Sequence, residues 1–246
     1  MRKILYINPV GTNIFDEPMK NYLNKYKDEE TIVDVKSLSR GPHHLEYYSY
    51  DAAILPELLK IIKKAEKENY DAAIIGCFYD PGLLEAREIV DKLIVTAPAE
   101  SSLHIASTLG DRFSIIVGRK KWIPLMMRNV INYGFREKLV SFKSVDLGVY
   151  ELHKDEEETK RRLIKLSQEA INEGAEVIIL GCTVFFGFFE ELQNIIGVPV
   201  IDPVIASLKY AEFLIDLSKK TRWYFSKKYS YETPPSRELE EWRIFE

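Results

Sequence analysis

DAAIIGC at residues 71–77 and EVIILGC at residues 176–182 read as two copies of one element. Each is a short apolar run without the polar alternation of a half-solvated strand, the pattern of a strand buried on both faces of a parallel sheet. Each closes in Gly-Cys, and Cys77 and Cys182 are the only cysteines in 246 residues.

The likeness continues beyond the cysteines. Adding 105 to a residue number pairs Gly76 with Gly181, Gly82 with Gly187, Glu85 with Glu190 and Val95 with Val200. The same offset pairs Pro98 with Pro203, Ser102 with Ser207, Leu103 with Leu208 and Ala106 with Ala211. An ungapped match over about thirty residues marks an internal repeat. Other segments fit the same scheme. KILYIN (3–8) is a β-branched and aromatic run ending in Asn-Pro, a buried strand that enters a loop. Leu58, Ile61, Ile62 and Ala65 follow helical spacing and place an amphipathic helix over 55–69. FSIIVG (113–118) reads as a strand, 121–133 as a helix, and 155–173 as a long helix closed by Gly174.

Strands alternating with helices, the strands apolar throughout, indicate an α/β protein with mostly parallel sheets. The repeat implies two pseudo-symmetric three-layer α/β domains. The first takes residues 1–100 plus 206–246, including a C-terminal extension, and the second takes 101–205. Ligands of such folds bind outside the carboxyl ends of the strands, where Asn8, Cys77 and Cys182 all fall. The active site is therefore expected in the cleft between the domains, with a thiol on each side.

Composition narrows the function. A net charge of −4 and 46% hydrophobic residues fit a folded chain with no general attraction to nucleic acid or anionic lipid. The apolar run of MRKILYINPV is too short for a signal-peptide core, and no run is long enough to span a membrane. A cytoplasmic location is expected, where two cysteines stay reduced, and two ligands without a clustered partner make no metal site. The segment from residue 221 is aromatic and charged, and it is read as an extension packed over its own domain or over a neighbouring subunit. Trp223, Tyr224, Phe225, Trp242 and Phe245 are suitable anchors for a homo-oligomer.

A buried cysteine is ordinarily a space-filler. A repeated Gly-Cys at two strand ends argues for chemistry, because each is followed by helix-start signals: Asp80-Pro81 after the first, FFGFFEELQ after the second. Amides at a helix N-terminus lower a thiol pKa from about 8.5 toward neutrality. Two thiols on opposite sides of a pocket suit racemisation, where a base removes a proton from one face of a carbon and an acid returns one to the other.

These residues carry a family resemblance. GCFYDPGLLEAREI (76–89) resembles the GCFxDPGLxxxRE stretch of hydantoin racemases, and EVIILGCT with GVPVIDPVIASL (197–208) resembles their second cysteine region. INPVG (7–11) is similar to their INPNT opening and PAESS (98–102) to their Glu-Ala-Ser segment. The resemblance spans roughly residues 3–215 and points to the aspartate/glutamate/hydantoin racemase superfamily, closest to its hydantoin branch. It implies a cofactor-independent mechanism in which Cys77 and Cys182 are acid and base. The substrate would be a small molecule with a carbon acid beside a carbonyl, such as a 5-substituted hydantoin. Asn8 and the backbone amides of Phe78, Tyr79, Thr183 and Val184 would bind its carbonyl.

Departures from that pattern keep other readings open. Thr183 after Cys182 is the Cys-Thr of the amino-acid racemase branch, whereas Phe78 after Cys77 is not, and Val10 replaces an Asn. An aspartate/glutamate-type racemase, a related decarboxylase or cis-trans isomerase, and a non-catalytic small-molecule binding module are the alternatives. Asp80 before Pro81 is read as a helix N-cap, Glu100 and Ser101 as a helix start, and His43 and His44 as exposed loop residues.

Overall fold

The structure, a computed structural model, describes residues 1–245. Strands and helices alternate as β1 (Arg2–Asn8), α1 (Asp16–Tyr26), β2 (Thr31–Ser37), α2 (Tyr48–Lys67), β3 (Ala72–Ile75), α3 (Leu83–Ile89), β4 (Ile94–Thr96) and α4 (Pro98–Leu109). They continue as β5 (Phe113–Val117), α5 (Ile123–Asn132), β6 (Leu139–Ser144), α6 (Glu156–Asn172), β7 (Val177–Leu180), α7 (Phe189–Ile196), β8 (Val200–Ile201), α8 (Pro203–Thr221) and α9 (Ser236–Glu241).

The strands form two four-stranded sheets, ordered β2-β1-β3-β4 and β6-β5-β7-β8, with every pairing parallel. The α/β fold with parallel sheets is thus as the apolar runs indicate. The inner strands β3, β5 and β7 are buried along their whole length, so both faces of each sheet are covered. The edge strand β2 alternates in burial, with Ile32 exposed and Val33 buried, and its Asp34 and Lys36 hide it from a search for continuous apolar runs.

The repeat is present in the pairing itself. Ala73 lies opposite Val95 in the first sheet, and Ile178 lies opposite Val200 in the second; all four numbers obey the offset of 105. Gly82 and Gly187, paired by the same offset, both stand at positive φ, +68° and +91°. Tyr6 on β1 and Ile115 on β5 hold equivalent places, lying opposite Ile74 and Ile179.

The chain divides into two compact units. Unit 1 holds Met1–Gly76, Pro81–Ala97 and the chain from Leu208 onward; unit 2 holds Cys77–Asp80 and Pro98–Ser207. In unit 1, α8 is fastened to the amino ends of β1 and β2. The Arg2 guanidinium forks onto Asp216 at 2.7 and 2.5 Å, and the Thr31 hydroxyl donates to buried Glu212 at 2.6 Å.

Element limits differ from the sequence expectation in one instructive place. The helix expected over 55–69 begins at Tyr48, so Pro56 lies inside it, where it costs a single backbone hydrogen bond while Ile54, Leu58, Ile61, Ile62 and Ala65 keep their buried stripe. The helix expected over 155–173 starts on Asp155, whose carboxylate accepts from the Glu158 amide at 3.0 Å, and is followed by Gly174 at φ +103°. The C-terminal segment packs on its own unit: Lys227 donates to the carbonyls of Arg87 and Glu88 at 2.7 and 2.9 Å, capping α3, and the Arg87 guanidinium lies 4.8 Å from the Phe225 ring centre. Trp223 and Trp242 stay exposed. Among the described residues no helix is long and apolar enough to cross a membrane.

Candidate active site

Both cysteines stand two residues past the end of a fully buried strand, with a glycine between. The amide of Gly76 donates to the carbonyl of Ile7 at 2.8 Å, and that of Gly181 to Ile116 at 2.7 Å, so each glycine is the last residue held by its sheet. The glycines are required by space. A Cβ on Gly76 would stand 2.5 Å from the Tyr6 ring, and one on Gly181 would stand 2.8 Å from the Ile115 side chain. The equivalent residues Tyr6 and Ile115 thus fill the room a side chain would take, and the Gly-Cys repeat follows from this packing.

Each cysteine then opens a turn. The Cys77 carbonyl accepts from the Asp80 amide at 2.9 Å, and the Cys182 carbonyl from the Phe185 amide at 3.0 Å. Both cysteines are half-buried and neither is in a disulfide. The helix starts expected directly after them are not found in that form. Cys182 leads into a single 3-10 turn, Thr183–Phe185, and α3 begins only at Leu83, because the chain first makes a turn with both Asp80 and Gly82 at positive φ.

Residues 77–80 belong to the unit that also carries Cys182. In that segment Phe78, Tyr79 and Asp80 are buried, and in the second turn Thr183 is buried and Val184 half-buried. Asn8 lies at the carboxyl end of β1, buried in unit 1. Its amide nitrogen donates to Asp16 at 2.6 Å, and Asp16 also accepts from the Ser37 hydroxyl at 2.6 Å, which fixes the carboxamide plane.

Asp80 does not cap its own helix. Its backbone sits at φ +52° and the residue before α3 is Gly82. The carboxylate instead caps α4: the amides of Ala99 and Glu100 donate to its two oxygens at 2.8 Å each, and the Tyr133 hydroxyl adds a third bond at 2.9 Å. Burial pushes this carboxyl up to about 7; the two amides pull it back, the Glu100 charge adds to the rise, and Tyr133 opposes it. In the second repeat the equivalent helix α8 is capped by Asp202, whose carboxylate accepts from Val204 and Ile205 at 2.8 and 3.1 Å.

His153 was not visible from sequence. Its Nε2 donates to the Val184 carbonyl at 2.7 Å, its Nδ1 lies 2.8 Å from Glu156, and its ring stacks on Phe188 with centres 5.1 Å apart. It braces the turn after Cys182 from 31 residues away, and no local motif announces such a pairing. His43 is exposed, as expected of its loop, and His44 is half-buried, its ring 5.5 Å from that of Tyr50. Among the described residues no group of three His, Cys, Asp or Glu side chains gathers as metal ligands would.

Comparison with known proteins gives a consistent result. The family model described as Asp/Glu/Hydantoin racemase matches residues 4–211. The chain is 34% identical over 237 residues to the hydantoin racemase of Pseudomonas sp. (strain NS671), spanning 96% of this chain and 93% of that protein. It is 35% identical over 239 residues to the hydantoin racemase of Paenarthrobacter aurescens, spanning 96% and 99%. Among solved structures, allantoin racemase from Klebsiella pneumoniae is similar with a TM-score of 0.87 at 26% identity, covering 96% of this chain and 94% of that one.

Proposed function

The chain belongs to the Asp/Glu/hydantoin racemase family, and on that premise we propose that it is a cofactor-independent racemase of 5-substituted hydantoins or related ureides. Cys77 and Cys182 act as its acid and base. One thiolate removes the C5 proton, the electron pair moves into the adjacent carbonyl as an enolate, and the opposing thiol delivers its proton to the other face of C5. The two sulfurs have then exchanged protonation states. The observation that carries this reading is the equivalence of the two Gly-Cys turns, each set at a strand's carboxyl end by the same glycine-to-strand hydrogen bond.

Phe78 and Tyr79 follow Cys77 in the first turn and Thr183 and Val184 follow Cys182 in the second, and their backbone amides are assigned to the substrate carbonyl and the developing enolate on the family resemblance. Asn8, which donates one carboxamide N–H to Asp16, is assigned to hydrogen-bond the substrate. The buried aromatic faces of Phe78 and Tyr79 suit a 5-substituent more apolar than a carboxylate.

The test is polarimetry on enantiopure 5-substituted hydantoins, with chiral chromatography on aspartate and glutamate. Wild type should racemise the hydantoins, and Cys77→Ala and Cys182→Ala should each abolish turnover; full racemisation by either variant would sink the two-base mechanism. A second reading, racemisation of a free amino acid, is favoured by buried Thr183 directly after Cys182. Activity confined to aspartate or glutamate would establish it in place of the first.

A further inference from the structure

Asp80 belongs to a motif that the proton-transfer chemistry leaves unused, and its surroundings give it a role. The chain leaves unit 1 after Gly76, spends four residues in unit 2, and returns at Pro81. Those four residues begin with Cys77 and end with Asp80. Among the hydrogen bonds that hold the excursion are five: Asp80 amide to Cys77 carbonyl, Asn129 side chain to Tyr79 carbonyl at 2.7 Å, and the three donors on the Asp80 carboxylate. Four of the five reach α4, α5 or Tyr133 just beyond α5, so the turn's place is set from outside itself.

We propose that Asp80 is a positioning residue for Cys77: its carboxylate, gripped by the Ala99 and Glu100 amides and the Tyr133 hydroxyl, fixes the turn that carries the thiol. Two features single it out from ordinary helix capping. Asp80 is held at φ +52°, a sterically unfavourable conformation that persists only where surrounding contacts over-determine it. Its equivalent in the second turn, Phe185, is fully buried in an apolar cluster, and α8 is capped locally by Asp202. The first repeat has Ala97 where the second has Asp202, so the cap of α4 has been moved to the cysteine turn. A cap serving only α4 could sit at residue 97. Placing it three residues after Cys77 ties the thiol to the start of α4.

The inference rests on reading Cys77 as a proton-transfer group, and its test separates the two. Wild type, Asp80→Asn, Asp80→Ala and Tyr133→Phe are treated with iodoacetamide across pH, and the alkylation of Cys77 and Cys182 is followed separately by peptide mass spectrometry. Cys182 in the same chain is the internal control. Loss of the carboxylate should raise the Cys77 rate about tenfold, by local opening of its turn, with Cys182 within about twofold of wild type. Tyr133→Phe, which removes one donor of three, should move Cys77 in the same direction by less and carries the test if the Asp80 variants do not fold. In racemisation assays kcat should fall about 100-fold with little change in KM, as expected of a displaced catalytic group. Equal acceleration at both cysteines, or none at either, would overturn the proposal. If wild type racemises nothing on the panel, the proposed function fails, while the alkylation ratio still decides the role of Asp80.

Discussion

Asp80 and Phe185 stand at the same position of two equivalent turns, three residues beyond Cys77 and Cys182, and both donate their amide to the cysteine carbonyl. The first anchors its turn with a buried carboxylate that caps α4, the second with a phenyl ring sunk among Leu163, Ile178 and Leu192. At this position the first turn is thus anchored by directional hydrogen bonds and the second by packing. The two thiols, alike in local sequence, are expected to respond differently to solvent, pH and mutation.

Proton exchange should separate the faces. In D2O, Cys77→Ala is expected to exchange the C5 proton of one hydantoin enantiomer without inverting it, and Cys182→Ala to exchange that of the opposite enantiomer. Proton NMR on the two enantiomers reads this directly. Exchange of the same enantiomer by both variants would mean that the thiols serve one face.

Stability at pH 4–7 should carry the signature of Asp80. Its carboxyl is raised to about 7 from an ordinary value of 3.8, chiefly by burial, with Glu100 and Tyr133 as the titratable neighbours. A folded-state value above the unfolded one means that the native protein holds this proton more tightly. The group's contribution is therefore fully present below about pH 4 and is lost as pH rises through about 7. Urea unfolding should show the advantage of wild type over Asp80→Asn shrinking across that window and flat above it. An advantage that grows with pH would show the three donors prevailing over burial.

The glycines before the cysteines should tolerate no side chain. Gly76→Ala drives a methyl to 2.5 Å from the buried Tyr6 ring, and Gly181→Ala drives one to 2.8 Å from Ile115. Each is expected to cost about 1–3 kcal/mol and to reduce activity. Gly187→Ala, with nothing within 4 Å of the new methyl, meets only the strain of φ +91°, about 1 kcal/mol. Denaturant midpoints ranking Gly187 as the most costly would show backbone conformation, not space, selecting these residues.

His153→Phe preserves a ring against Phe188 and removes the donor to the Val184 carbonyl. Activity should drop about tenfold, an amount in line with losing one hydrogen bond that positions a reacting group. Alkylation should change at Cys182 and hold at Cys77, the reverse of the Asp80 variants. A change confined to Cys77 would contradict the bracing role.

The repeat, the parallel sheets and the placement of Cys77 and Cys182 past strand ends were legible because they rest on periodicity and local composition. β2 escaped notice because an edge strand buries one face and tolerates Asp34 and Lys36 on its margin. The start of α2 is not legible because its first turn, Tyr48 to Asp51, carries mostly exposed polar and aromatic residues without an apolar stripe. Asp80 reads as the cap of its own helix because Asp-Pro is a common helix start; its positive φ goes with contacts made 19 and 53 residues away.

By itself the sequence determined the α/β class, the duplication, and which two side chains stand at equivalent strand ends, because burial patterns and repeats are properties of neighbouring residues. The tertiary structure alone decided what holds each cysteine: Tyr6 and Ile115 over the glycines, Asp80 on α4 and Tyr133, His153 on Val184. Those are hydrogen bonds and packing contacts between distant segments, whose directions exist only once the chain has folded.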